Sequence, residues 1–135
     1  MNRFIPLSAA ALLFAMTGLA QATQTISSPS IFASDVQRSA TCTVRNVGTT
    51  QVLIRQVGIV FESGDPVTLA SDNCTNVRLA GGSACSVTAT GILTGFAYAC
   101  SATAASVKHL RGAMFLRIPA GSVSSDLPFR SAPLR

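Results

Sequence analysis

The sequence predicts an all-β protein, a small antiparallel sandwich of about seven short strands. Three observations predict it. Apolar residues recur with a period of two in one stretch after another, and a 3.6-residue period persists nowhere beyond residue 22. Clusters of Gly, Pro, Asn, Asp and Ser interrupt those stretches at short intervals. Four cysteines, Cys42, Cys74, Cys85 and Cys100, follow a leader-like N-terminus, and an even number in an exported chain implies a disulfide framework.

Residues 1–22 read as a signal peptide. Arg3 supplies a positive start, and Leu7 to Ala20 is an apolar run too short and too rich in small residues to span a membrane. Ala20-Gln21-Ala22 offers a small-x-small cleavage site. Cleavage there leaves 113 of the 135 residues, one domain with a modest core. The mature chain carries nine basic against five acidic residues, a net +4, with the basic residues spread singly. Nucleic-acid binding needs a clustered basic patch, so no nucleic acid is expected as a partner. The expected location is periplasmic or extracellular. No stable membrane insertion is expected after cleavage, and no lipobox cysteine follows the signal.

The elements follow in order. Residues 23–40 form an N-terminal arm and first strand: Thr23 to Ser30 is polar, a loose arm or an edge strand, and Ile31 to Val36 is a short strand. Thr41 to Val47 alternates, with Cys42 and Val44 on one face and Thr43 and Arg45 on the other, and Gly48 then turns the chain. Gln51 to Glu62 is a long β-branched strand whose phase slips midway. Val52 and Ile54 share one parity and Val57, Ile59 and Phe61 the other, which predicts a bulge near Arg55-Gln56. Ser63-Gly64-Asp65-Pro66 is a turn, and Val67 to Ala70 a short strand.

Asp72 to Ser86 is the most informative stretch, with Cys74 and Cys85 bracketing a short apolar step and the Gly81-Gly82 pair. It reads as a loop tied by a disulfide to the strand that starts at Cys85. Cys85 to Gly91 points Cys85, Val87 and Ala89 inward. Phe96 to Thr103 places Phe96, Tyr98, Cys100 and Ala102 on one face, and Leu110 to Ile118 turns Leu110, Met114, Leu116 and Ile118 inward. Residues 119–135 are a Pro/Ser-rich tail with at most one weak strand, around Val123 to Leu127.

Four cysteines allow three pairings. Tyr98 stands two residues before Cys100 on a late strand, an arrangement that resembles the tyrosine corner of immunoglobulin-like sandwiches. That resemblance implies a Cys42–Cys100 bridge between sheets, with Cys74–Cys85 closing the loop. No tryptophan is present to pack on such a bridge.

Residues 41–118 resemble the immunoglobulin-like repeat of bacterial exported proteins with choice-of-anchor type D domains, related to abnormal-spindle-type domains. Val44-Arg45-Asn46-Val47-Gly48-Thr49 is similar to that family's V-x-N-x-G-T strand and turn. Cys74 and Leu79 to Cys85 are similar to its C…L-x-x-G-x-x-C loop, and Leu110 to Ile118 falls where its last strand does. Phe96-Ala97-Tyr98-Ala99-Cys100 replaces the family's F-x-P segment. The resemblance implies an exported, non-catalytic module and brings no active-site residues with it.

The residues themselves offer no catalytic constellation. Asp35, Glu62, Asp65, Asp72 and Asp126 all lie in or beside turns, and His109 is the only histidine. No metal site, catalytic residue or cofactor is expected. Arg111, Phe115 and Arg117 share the outward face of the last strand and form a candidate contact patch, since arginine and aromatics are enriched at interfaces. The expected function is binding or building in the cell envelope, with a protein or envelope component as partner. Two alternatives are a pilus- or coat-type subunit that donates Thr23–Ser30 as a strand, and a secreted enzyme inhibitor presenting Ser63–Pro66.

Overall fold

The structure, a computed structural model, describes residues 22–34, 38–118 and 130–134. The predicted signal peptide, apart from Ala22, and the weak strand expected at Val123–Leu127 lie outside the described residues.

Ten strands are described: β1 (Gln24–Ser27), β2 (Ile31–Phe32), β3 (Ser39–Asn46), β4 (Val52–Phe61), β5 (Ser71–Asp72), β6 (Val77–Leu79), β7 (Ala84–Thr90), β8 (Ala97–Ala104), β9 (Leu110–Arg117) and β10 (Arg130–Pro133). They form two antiparallel five-stranded sheets, one in the order β1-β8-β4-β6 with β2 also paired to β8, the other in the order β10-β9-β3-β7-β5. The fold is the all-β sandwich that the alternation predicts.

From β3 to β9 every successive strand changes sheet. Over this span no two consecutive strands are hydrogen-bonded to each other, and nearly all pairing joins distant parts of the chain. One placement differs from a standard immunoglobulin domain. There the strand after the second bridge cysteine returns beside its predecessor. Here β9 crosses over and pairs with β3, from Ser39 opposite Arg117 to Asn46 opposite Leu110.

The phase slip in β4 is a register shift between Ile54 and Gln56 against β8. Arg55 and Gln56 are both exposed, while Val52, Ile54, Val57 and Ile59 are all buried. The extra residue lets both halves of the strand present one apolar face to the core. That core is built from small and branched side chains, and Tyr98, Ile54, Ile59, Leu110, Met114 and Leu116 are its largest fully buried members.

Two disulfides hold this core. Cys42–Cys100 joins β3 of one sheet to β8 of the other with Cα atoms 5.7 Å apart, and both residues are fully buried. Cys74–Cys85 ties the loop after β5 to the start of β7 with Cα atoms 5.2 Å apart. Both spacings suit a disulfide.

Three expectations are corrected. Val67–Ala70 forms no strand. Pro66 makes an isolated bridge to Val60, Val67 bonds Ile59, and the short strand comes one residue later, at Ser71–Asp72. Phe96 does not join the inward face of β8: the strand starts at Ala97, after Gly95 turns the chain at φ 78°, and Phe96 is 51% exposed. The end of the tail belongs to the sandwich, because β10 pairs with β9 and Leu134 is buried. Gly112 makes that closure, since a Cβ there would run into Leu134 and into the carbonyl oxygen of Thr43. The Leu134 N–H bonds the Gly112 carbonyl at 2.8 Å.

Candidate binding cleft

The residues singled out in the sequence fall into four places. Tyr98 lies in the core, and its hydroxyl accepts the Leu93 N–H at 2.9 Å and donates to the Leu93 carbonyl at 3.1 Å. This pins the β7–β8 connection to the start of β8. Two residues on, Cys100 carries the bridge to Cys42, and its N–H donates to the buried Ser28 hydroxyl at 3.0 Å.

The Asp72–Ser86 loop is held by its own polar side chains. Asp72 Oδ1 accepts the N–H groups of Cys74 and Thr75 at 2.8 and 3.0 Å, and Oδ2 accepts the Thr75 hydroxyl at 2.6 Å. The Thr75 hydroxyl bond, with the two backbone donors, holds the Asp72 carboxyl below its ordinary value of 3.8 against a slight desolvation. Asn73 Oδ1 then accepts the Ser86 N–H at 2.8 Å, tying the loop across to β7.

The strand-and-turn motif has a structural role too. Asn46 is fully buried and donates to the carbonyls of Thr50 and Leu79 at 2.7 and 3.0 Å, while its side-chain oxygen accepts the Gly48 N–H at 3.0 Å. A Cβ on Gly81 would stand 2.6 Å from the Gly48 carbonyl oxygen, so the two glycine-bearing turns pack backbone to backbone. His109 is exposed, with its Cβ against Gly48.

Arg111, Phe115 and Arg117 share one face of β9, with Arg45, Thr41 and Ser39 directly opposite on β3. Arg111 and Arg117 are exposed and Phe115 is half-buried. The Arg111 guanidinium folds back onto the carbonyls of Lys108 and Leu110 at 3.2 and 2.7 Å, so one arm of this patch is engaged by its own hairpin.

A different surface gathers the exposed apolar residues. Four large hydrophobic residues are more than half exposed among the described residues, and three of them, Phe32, Leu93 and Phe96, line one cleft of about 410 Å³. Phe61, Glu62 and Asp65 also line it. All come from one end of the sandwich. Phe32 pairs with Ala97 where β2 meets β8, Phe61 closes β4 opposite Tyr98, and Leu93 and Phe96 lie in the β7–β8 connection. The Phe61 and Phe96 rings meet edge to face at 74° with centroids 6.0 Å apart, and Phe61 also packs on Tyr98 at 5.1 Å. A groove of about 310 Å³ adjoins, sharing Phe61 and Leu93 and lined further by Pro66, Val67 and Ile92.

The rim turn is braced. Gly64 takes φ 91°, its N–H bonds the Phe61 carbonyl at 2.8 Å, and the Phe61 N–H bonds the Asp65 carbonyl at 2.9 Å. Ser63 donates to the Asp65 carboxylate at 2.8 Å. The Ser63–Pro66 turn is thus one wall of the cleft.

Sequence reasoning missed this cleft. Period-two counting placed Phe96 inward, and the Gly95 turn immediately before it was the available sign that it leaves the core. No family model, no curated protein and no solved structure matches this chain.

Proposed function

We propose that this chain is a non-catalytic, exported binding module of the immunoglobulin-like kind, and that it binds at the aromatic cleft. The observation that carries the reading is the placement of its aromatics. Of the four phenylalanines among the described residues, three (Phe32, Phe61 and Phe96) sit at one mouth, and two of these are more than half exposed. A core this poor in large side chains gains most from burying phenylalanine, so leaving two of them outside costs stability that a surface without function need not forgo. A volume of about 410 Å³ falls in the range of ligand sites, apolar with a few polar groups.

Export fits the two disulfides, which persist in oxidising compartments. Periplasm or extracellular space is the proposed destination, with the predicted signal peptide as the route. The resemblance of residues 41–118 to choice-of-anchor type D domains supports the same reading. The strand-donor alternative has less support: Gln24–Ser27 already pairs with β8 of its own chain, from Gln24 opposite Ala104 to Ser27 opposite Ser101. The inhibitor alternative merges with the cleft, because its candidate turn forms the rim.

A fragment screen followed by amide-resolved NMR tests the proposal. The expected result is that hits converge on the amides of Phe32, Phe61–Asp65 and Leu93–Ala97. Hits that instead cluster on the face of β9 around Phe115 would move the site to the candidate contact patch, and an absence of hits anywhere would overturn the reading.

A further inference from the structure

The cleft has a charge as well as a shape. The chain holds ten basic and five acidic residues, yet the described residues that line the cleft include two of the five acids, Glu62 and Asp65, and no basic residue. The nearest wall is aromatic. Phe61 and Phe96 stand at 74° to each other, which makes two sides of a corner, and Phe32 and Leu93 extend it to the surface. Aromatic faces carry negative quadrupolar charge and attract cations, most of all cations whose alkyl groups lower the cost of leaving water.

Resting on the reading of this cleft as the binding site, we infer that its ligand is an organic cation with apolar substituents, of the alkylammonium class. The aromatic corner receives the alkyl groups around the nitrogen, and Glu62 and Asp65 at the rim supply the opposite charge. Anionic ligands meet two carboxylates with no basic residue among the described lining residues to offset them. An uncharged apolar ligand of the same shape keeps the contact area and loses both attractions. Preference for the cation over its uncharged isostere is therefore the signature of the site, more than affinity itself.

The test uses the oxidised chain, isotope-labelled, titrated with choline and with neohexyl alcohol, its uncharged carbon isostere. The expected result is that choline shifts the amides of Glu62, Asp65 and Phe96–Ala97, with the isostere about tenfold weaker. Glu62→Gln, which leaves the Ser63–Asp65 bond in place, is expected to narrow the gap between the two probes severalfold. Glu62→Gln with Asp65→Asn is expected to close it. Choline and the isostere binding equally at the cleft would overturn the cationic preference and leave the cleft as an apolar binding site. If neither probe nor any fragment perturbs the cleft, the inference and the reading beneath it fall together. Phosphocholine-bearing vesicles and a trimethyllysine peptide, run as separate arms, show whether a lipid headgroup or a peptide side chain presents the ammonium better than free choline does.

Discussion

Single residues in this protein are held by bonds that only their own side chains can make. Asn46 is the clearest case, because one buried amide satisfies the carbonyls of Thr50 and Leu79 and the N–H of Gly48. Asn46→Ala leaves the Leu79 carbonyl unpaired in the interior, deprives the half-exposed Thr50 and Gly48 groups of their partner, and should cost about 1–3 kcal/mol in urea unfolding. A loss under 0.5 kcal/mol would mean that the turn is held by the Gly48–Gly81 backbone contact alone. Asp72 makes a pH-dependent contribution. Its folded-state pKa is depressed by the Thr75 hydroxyl and two backbone donors, so its stabilisation is full above the ordinary aspartate range and is lost as pH falls through the folded value. In acid titrations of stability, Asp72→Asn should therefore be less stable than the parent at neutral pH, and the gap should shrink below about pH 4. The side chain is largely exposed, so the gap is small.

At the scale of the element, the strands were legible wherever one face is buried and the other wet. β3, β7 and β9 start and stop within a residue or two of where alternation places them, because a period-two pattern is what burial of one face selects. The bulge in β4 was legible for the same reason: only an inserted residue reconciles Ile54 with Val57. What alternation could not show was where a strand stops mattering to the core. Phe96 has the right parity for β8 and lies outside it, since Gly95 has already turned the chain. The cleft was missed through that one residue, and Glu62 and Asp65 looked like ordinary turn acids until their neighbours were known. The last strand was hidden too. Its anchor, Leu134, is one of a few scattered apolar residues in a tail rich in prolines and serines, and its socket is the absence of a side chain at Gly112. Leu134→Ala should cost about 2–3 kcal/mol by differential scanning calorimetry or urea titration. Gly112→Ala should cost at least as much and should not be rescued by adding Leu134→Ala, because the Thr43 carbonyl also blocks the new Cβ.

The whole molecule is a sandwich whose successive strands from β3 to β9 alternate between sheets, so few contacts are local. Such topologies fold slowly, on the order of milliseconds to seconds, and they gain most from covalent closure of long loops. In the chain-entropy model the Cys42–Cys100 bridge, 58 residues apart, contributes roughly 4 kcal/mol, and Cys74–Cys85, 11 apart, roughly 3 kcal/mol. Either is comparable with the roughly 5–15 kcal/mol that a small domain has in total. Reduction with dithiothreitol should lower the melting temperature by more than about 15 °C, and an unmoved melting temperature would contradict the role given to the bridges.

The aromatic cleft is where that stability is used. If Phe32 and Phe96 are placed for a ligand, replacing both with serine should leave the melting temperature of the oxidised chain within about 2 °C of the parent, since exposed phenylalanines contribute little to folding. The same double substitution should abolish the ligand-induced amide shifts at Glu62 and Ala97. Calorimetry and NMR on one Phe32→Ser, Phe96→Ser sample decide the matter. Retained stability with lost binding is the predicted result. A fall in stability of about 3 kcal/mol or more, the cost of deleting a core phenylalanine, with ligand shifts intact would show that these rings serve the fold and that the binding site lies elsewhere.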